Sequence, residues 1–502
     1  MKRIISIVLF FVFAVLAPFA LLSCNSPESG DSNGETNDSG QNQMPSEEQP
    51  GQNEFEPAEG TDYAGYKFRI LGWGATSSDI WRIMHYSEIA AETENADPIN
   101  DSVYKRNREV EALYNIEIEL YPVIYPDTDF SGRFIKAVQA QDDLFDAAFI
   151  AGFAGPQIFP RNMTVDLLSM PSLDLSKSWW DQNSVKTLSL DGKLKAVIGD
   201  MNFYANASSY VVYANNQLAK QYEVENLYQL VREGKWTWDA LYEIAKKTSQ
   251  DTNSDGIADK GDQFGLNISD GVLKYSITSA GELLFKKDAG DIYEFSPNYE
   301  RITSIIDKVL PIFMDKNVTV NVDRISGYNN VYFEYMMPKF RNDENMFLIL
   351  QLLAAFELNS MEADFSILPF PKYDENQEKY GTEMQNWWIT YTTIPTTCTD
   401  IERTGNILEA IGHYSQKYVM PAYYQTTIVN KLIRDEETEE MLDIIFKNKY
   451  IDVPELYNIG FINAEYVSMI NKGGNTFMSA CEKNEAKINK AIQTLVDEFQ
   501  GN

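Results

Sequence analysis

The sequence predicts an α/β protein with parallel-rich sheets flanked by helices. Two observations lead there. From Tyr66 to Gly152 the chain reads strand, helix, strand, helix, strand, which is the pattern of βαβ units on a parallel sheet. The 502 residues, 44% of them hydrophobic, also supply more core than one ordinary domain needs, so a second body is expected.

Each element has its own local signal. Lys67 to Trp73 alternates and ends at Gly72-Trp73, a strand opening into a loop. Asp97-Pro98-Ile99-Asn100-Asp101 starts a helix through Tyr114, with Asn100 or Asp101 expected as the cap. Ile116 to Leu120 reads as a strand, Phe134 to Gln141 as a helix, and Phe145 to Ala151 as a buried strand. Ser209 to Asn215 looks like a central strand, and Thr237 is a good cap for a helix from Trp238 to Ser249. A helix is expected from Glu300 to Lys316, whereas Phe347 to Phe356 fits either period. Phe365 to Leu368 and Trp387 to Ile394 read as extended, and Ile401 to Lys417 and the end from Ala480 as helices.

The N-terminus reads as an export signal. Lys2 and Arg3 precede an apolar run from Ile4 to Leu22, broken only by Ser6 and Pro18. Leu21-Leu22-Ser23-Cys24 resembles the lipobox of bacterial lipoproteins. That resemblance implies a signal peptide over 1–23, cleavage before Cys24, and acylation of its sulfur. The alternative is an uncleaved span, since about 19 apolar residues can just cross a bilayer. Residues 24–60 are rich in Ser, Gly, Asn, Gln, Pro and Glu and carry no Lys or Arg, so a disordered, negatively charged tether is expected, with order beginning near Tyr66.

Charge excludes some partners. Lys plus Arg is 42 against 74 Asp plus Glu, a formal net charge of −32, and removal of Lys2 and Arg3 makes it −34. Such a chain repels nucleic acid and anionic lipid. Two histidines, His85 and His413, are meagre for a zinc site, and no P-loop or glycine-rich dinucleotide run is present. No organic cofactor is expected. With Cys24 lipidated, Cys398 and Cys481 are expected as buried free thiols, with one disulfide as the alternative.

Two constellations carry chemistry. Asp251, Asn253, Asp255, Ile257, Asp259 and Asp262 have the spacing of an EF-hand-type loop, with Gly256 at the sixth position and the Ile257 carbonyl at the seventh. A structural calcium ion is the expectation, although Asp262 is a shorter arm than the usual Glu. An Asx-rich turn without metal is the alternative. The second constellation is a set of tryptophans at strand ends: Trp73, Trp81, Trp179, Trp180, Trp387 and Trp388. Such rings stack on the apolar faces of sugars. In an extended backbone each Trp-Trp pair would point its rings to opposite faces, so one of each pair is expected to be available. Acid pairs such as Asp142-Asp143 read as solvated surface, and neither histidine lies near a nucleophile elbow, so no enzyme is expected.

In order along the chain, several segments resemble the extracellular solute-binding proteins of ABC importers, in the sugar-binding lipoprotein branch (family 1). They are Asp97 to Asp101 with Tyr104, Arg106, Asn107 and Tyr114-Asn115-Ile116; Trp179-Trp180-Asp181-Gln182; Lys235 to Asp239; Asp251 to Gly265; Ile367 to Lys372; and Pro421 to Tyr424 with Arg434-Asp435. The resemblance implies a two-lobed periplasmic-binding-protein-like (type II) fold that closes by hinge motion on a ligand held between the lobes. Lobe one would take 61–200 and 332–375, and lobe two 201–331 and 376–502. Trp73, Trp81, Phe153, Trp180, Tyr210, Arg341 and Trp387 are the expected ligand residues, Arg341 forking onto hydroxyls or a carboxylate. The implied function is capture of a carbohydrate, an oligosaccharide by expectation, by a monomer lipid-anchored outside the cell membrane, for delivery to ABC permease subunits. A peptide or sugar acid on the same fold is the alternative, with a secreted glycoside hydrolase behind it.

Overall fold

Asp146 shows why the first sheet forms where it does. Its fully buried carboxylate accepts from the Arg69 backbone N at 2.8 Å, the Arg69 guanidinium at 3.2 Å and the Tyr66 hydroxyl at 2.6 Å. The strand β1 (Tyr66–Trp73) is thereby tied to the start of β3 (Ala147–Ala151). In this computed structural model β1 runs parallel to both β3 and β2 (Ile116–Val123), and β12 (Thr390–Thr393) lies antiparallel to β3, in the order β12-β3-β1-β2. Helices Pro98–Tyr114 and Phe130–Ala140 make the crossovers. The cap of the first is Asp97, which accepts from the Asn100 N–H at 2.9 Å, so neither Asn100 nor Asp101 has that role.

The second sheet has the order β10-β4-β9-β5-β8. Here β5 (Phe264–Ile268), β8 (Thr319–Asn321) and β9 (Asn345–Gln351) are parallel, and β4 (Tyr210–Asn215) is antiparallel to both β9 and β10 (Phe365–Leu368). Along β4, Val212 and Ala214 join one buried apolar cluster while Val211 and Tyr213 join another, the two-face burial of a central strand. Two small ribbons complete the set: β6 (Phe285–Lys287) with β7 (Tyr293–Phe295), and β11 (Thr382–Met384) with β13 (Lys449–Ile451).

Two chain segments cross between the sheets. One leads from Val197, bridged to Thr392, into β4, and the other from β11 into β12. They meet where Ser209 bridges Met384. A buried polar network lies along them. Thr390 donates to Glu88 at 2.6 Å, Asn202 donates to Thr390 at 3.0 Å, and Thr392 donates back to Asn202 at 2.9 Å. Each of these three side chains donates to a partner within the network, as burial favours.

Strand pairing redraws the expected lobes. Segment 332–375, assigned to lobe one, supplies β9 and β10 to the sheet of β4. Within 376–502, assigned to lobe two, β12 joins the sheet of β1. Both reassignments come from non-local strand order.

The structure describes residues 55–58, 60–74, 85–124, 129–358, 361, 364–387, 389–425 and 436–501, all within the unit Pro50–Asn502. The leader, Cys24, the tether before residue 55, Trp81 and Trp388 lie outside them. Order starts earlier than Tyr66: Phe55 stacks on His413 at 4.6 Å and meets Trp179 edge-on. Cys481 is buried and Cys398 half-buried, and both are free thiols. Among the described residues no helix is long and apolar enough to cross a membrane.

Candidate ligand-binding site

The C-terminal ends of β1 and β3 carry a row of rings. Trp73, the last residue of β1, meets Phe130 edge-on at 4.7 Å and Phe153 at 6.1 Å, and Phe153 in turn faces Trp387 at 5.6 Å and 38°. Exposure grades along the row. Trp73 and Phe130 are buried, Phe153 is half-buried, and Trp387 is 48% exposed. Three of the seven expected ligand residues are therefore brought together, but Trp73 backs the row while Phe153 and Trp387 present it.

The backbone holds the two outer rings in place. Gly152 N–H donates to the Ile389 carbonyl at 2.8 Å and Phe153 N–H to the Trp387 carbonyl at 3.3 Å. A Cβ on Gly152 would stand 1.8 Å from the Asn386 carbonyl oxygen, so only glycine allows the approach. Asn386, itself buried, donates to the Asp452 carbonyl and accepts from the Tyr391 hydroxyl at 2.7 Å, which fixes the turn before Trp387.

The second sheet brings polar groups to the matching edge. Tyr210, at the start of antiparallel β4, pairs with Gln351 at the end of β9. The Gln351 side-chain amide donates to the Tyr210 hydroxyl at 3.1 Å and to Gln385 at 2.6 Å. Gln385 lies two residues, about 7 Å of chain, before Trp387, so one short segment links the two edges. Tyr210 itself is buried and stacks face to face on Tyr275 at 3.9 Å, so it supports the wall. Beyond β5 and β8, Arg324 pairs with Asp270 at 2.5 Å and Asn321 donates to the same carboxylate at 2.9 Å. Asp323 accepts from the Asp270 N–H at 2.7 Å and the Tyr332 hydroxyl at 3.1 Å. Burial and the Asp323 charge push the Tyr332 hydroxyl well above its usual range, so it stays a donor. Gln351, Gln385, Asp270 and Arg324 were missed by sequence reasoning, because only strand order places them.

Other expected residues lie elsewhere. Trp180 is buried, and both indoles of the Trp179-Trp180 pair donate to Glu409, each at 3.1 Å. The alternation expected of that pair fails because the residues end a turn and are not part of a strand. Burial raises the Glu409 carboxyl to about 7 despite those donors. Arg341 ends the helix Met337–Arg341 ahead of β9, at the opposite end of that strand from Gln351. Seven residues at about 3.3 Å each put the two ends roughly 20 Å apart, so Arg341 does not share a site with Tyr210. Trp81 lies outside the described residues.

The calcium-like loop precedes β5, at the far edge from the rings. Its carboxylates serve its own backbone: Asp251 accepts from the Ser254 and Gly256 N–H groups, and Asp262 from Thr252 and Asp259. Gly256 has φ +75, the tight turn expected at the sixth position. No group of three or more acid, His or Cys side chains converges on a cation position among the described residues.

An aromatic and amide-lined edge at the C-terminal ends of parallel strands, beside a change of strand direction, is the usual ligand position of open α/β sheets. Solved structures share this architecture. A sugar transporter from Rhizobium etli, in an open conformation, matches at 11% identity over 87% of this chain and 100% of its own, with TM-score 0.55. The chain has the fold of ABC solute-binding proteins. An ABC substrate-binding protein from Listeria monocytogenes in complex with cycloalternan matches at 12% identity over 86% and 99% of the two chains, with TM-score 0.52. A cyclo/maltodextrin-binding protein complexed with maltotetraose matches at 13% identity over 86% and 97%, also with TM-score 0.52. No protein-family model and no curated protein matches the sequence.

Proposed function

We propose that this solute-binding fold captures a carbohydrate, an oligosaccharide, and hands it unaltered to an ABC transporter. The observation that carries the reading is Trp387, a large apolar ring left half-exposed against Phe153 at the strand-end edge. Flat sugar faces stack on such rings, and the amides of Gln351 and Gln385 and the Asp270–Arg324 pair suit hydroxyls. The similar structures from Rhizobium and Listeria are a sugar transporter and a substrate-binding protein in complex with cycloalternan, which supports the same ligand class. A sugar acid is less well served, because Arg324 is already neutralised by Asp270. Asp270 and Asp323 at this edge are committed to Arg324, Tyr332 and backbone, which favours binding over hydrolysis.

We also propose a lipid-anchored protein outside the cytoplasmic membrane, supported by the leader and Cys24, and a monomer by its resemblance to solute-binding proteins. Palmitate labelling of the expressed chain tests it: label is expected on the wild type, and label persisting in Cys24→Ala would refute it. The Asp251–Asp262 loop is proposed to take structural calcium, supported by its spacing and the Gly256 turn. Calcium added to chelator-treated protein should raise the melting temperature; an unchanged melt would rule the ion out.

For the ligand, a thermal-shift screen with malto-oligosaccharides, cyclic glucans, peptides and hexuronates is decisive. Stabilisation by a neutral oligosaccharide is expected. Response to peptides or hexuronates alone would overturn the carbohydrate reading.

A further inference from the structure

Beneath the wall of Tyr210 and Tyr275 lies a set of charges that the site does not use, largely buried except for Glu455, whose side chain is 38% exposed. Lys274, on the helix Val272–Ser279 that follows β5, pairs with Glu383 at 2.8 Å, with Glu455 at 3.3 Å and, most closely, with Asp452. The Lys274 side chain is 13% exposed and that of Glu383 only 1%. Thr278, one turn on, donates to the other Glu383 oxygen at 2.6 Å.

The partners come from three segments. Lys274 and Thr278 belong to the body of the second sheet. Glu383 is the middle residue of β11, two positions before Gln385. Asp452 and Glu455 belong to a stretch that leans on the body of the first sheet: the Asp452 carbonyl accepts from Asn386, Tyr457 donates to the Leu188 carbonyl at 2.6 Å, and Leu456 packs against Gly155. A pocket with about 70 Å³ of interior space, lined by Glu383, Asp452, Thr278 and Tyr466, adjoins the cluster and is large enough for water, so protons reach it.

We propose that Lys274, Glu383, Asp452 and Glu455 form a proton-operated tie that fixes the crossing strand Thr382–Met384 between the two bodies and so positions Gln385 and Trp387. Two largely buried carboxylates, Glu383 and Asp452, and the part-exposed Glu455 face one ammonium, so with all of them ionised the cluster holds excess negative charge. Burial raises the Glu383 carboxyl to about 7; Lys274 opposes that shift and Asp452 adds to it. Burial likewise raises Glu455. The tyrosines facing the cluster, Tyr275, Tyr391, Tyr450 and Tyr466, are all pushed above the usual phenol range by burial and stay neutral, while Glu282 lines the pocket wall. By linkage, a proton binds the assembled cluster more tightly than the opened one, where Glu383 returns to its ordinary value. The tie therefore tightens as pH falls through neutrality and loosens above it. Glu383 is a positioning residue here, acting through the strand it sits on. The inference does not depend on what the ligand is.

Hydrogen–deuterium exchange of the full mature chain, corrected for intrinsic rates and run from about pH 6 to about pH 8.5, reads the tie without any sugar. In the wild type, amides of 382–387 and 272–279 should lose protection several-fold as pH rises, with a midpoint above the ordinary carboxylate range. Glu383→Gln, which cannot ionise at that position, should lose most of this response, keeping only what Glu455 contributes. Thr278→Val removes a hydrogen bond that favours the ionised form and should move the midpoint upward. Wild-type protection that is flat with pH overturns the proposal, as does an unmoved Thr278→Val midpoint or a wild-type pH response retained in Glu383→Gln. The wild-type and Thr278→Val series decide the question even if Glu383→Gln fails to fold.

Discussion

Trp387 and Trp73 belong to one row of rings, yet their substitutions should read out in opposite ways. Trp387 is half-exposed, so Trp387→Ala should leave unfolding within about 0.5 kcal/mol of the wild type while weakening sugar binding about tenfold or more. Trp73 is buried against Phe130, so Trp73→Ala should cost about 3–5 kcal/mol in denaturant unfolding. Equal stability loss in the two variants would contradict this division. Glu409 is a second residue with a sharp expectation. Glu409→Leu leaves two buried indole N–H groups without acceptors, at about 1–3 kcal/mol each, so a stability loss near 2 kcal/mol or more is expected by calorimetry. A neutral outcome would mean that Trp179 and Trp180 are held by packing alone. Sequence reading could pick out ring chemistry at these positions but not exposure. Trp180 donates to a carboxylate 229 residues away, and no local pattern announces such a partner.

Elements were the most legible level. The alternation of Lys67 to Trp73 and the apolar run into Ala151 fixed strands whose ends carry Trp73 and Phe153, because both signals are local in sequence. Thr237 caps its helix as expected, accepting from the Ala240 N–H at 3.3 Å. The cap at Asp97 was misplaced because Asp97, Asn100 and Asp101 all qualify chemically and Pro98 settles the choice by favouring the first helical position. At Gly152 the element-level argument makes a prediction. Gly152→Ala drives a methyl into the Asn386 carbonyl and must separate β3 from the turn before β12. Both stability and sugar affinity should fall together, measured by thermal melt and titration. Loss of neither would show that the turn relaxes freely.

For the whole molecule, sheet order decided what sequence could not. Residues 332–375 were expected in lobe one by resemblance, and the pairing of β9 and β10 with β4 puts their strands in the second sheet. The same pairing moved Arg341 to the far edge and brought Gln351 to the near one. Charge also acts at this scale. Glu409 and Glu383 both have carboxyls raised from 4.5 to about 7 by burial, so their contribution to stability is full below about 4.5 and is lost as pH rises through 7. Self-repulsion at a net charge of −32 works in the same direction. Asp262, held below its ordinary value by the Asp259 and Thr252 N–H groups, opposes this only in acid, below about 3.8. The melting temperature should therefore be higher near pH 5.5 than near pH 8, and the reverse order would contradict the buried-acid reading.

Calorimetric titration of maltotetraose and cyclic glucans into wild type and Trp387→Ala, followed by chromatography of the recovered sugar, tests the central claim most directly. Saturable binding to the wild type, at least about tenfold weaker binding to the variant, and an intact sugar are the predicted result. Undiminished binding by Trp387→Ala, or a shortened sugar in the recovered pool, would contradict it.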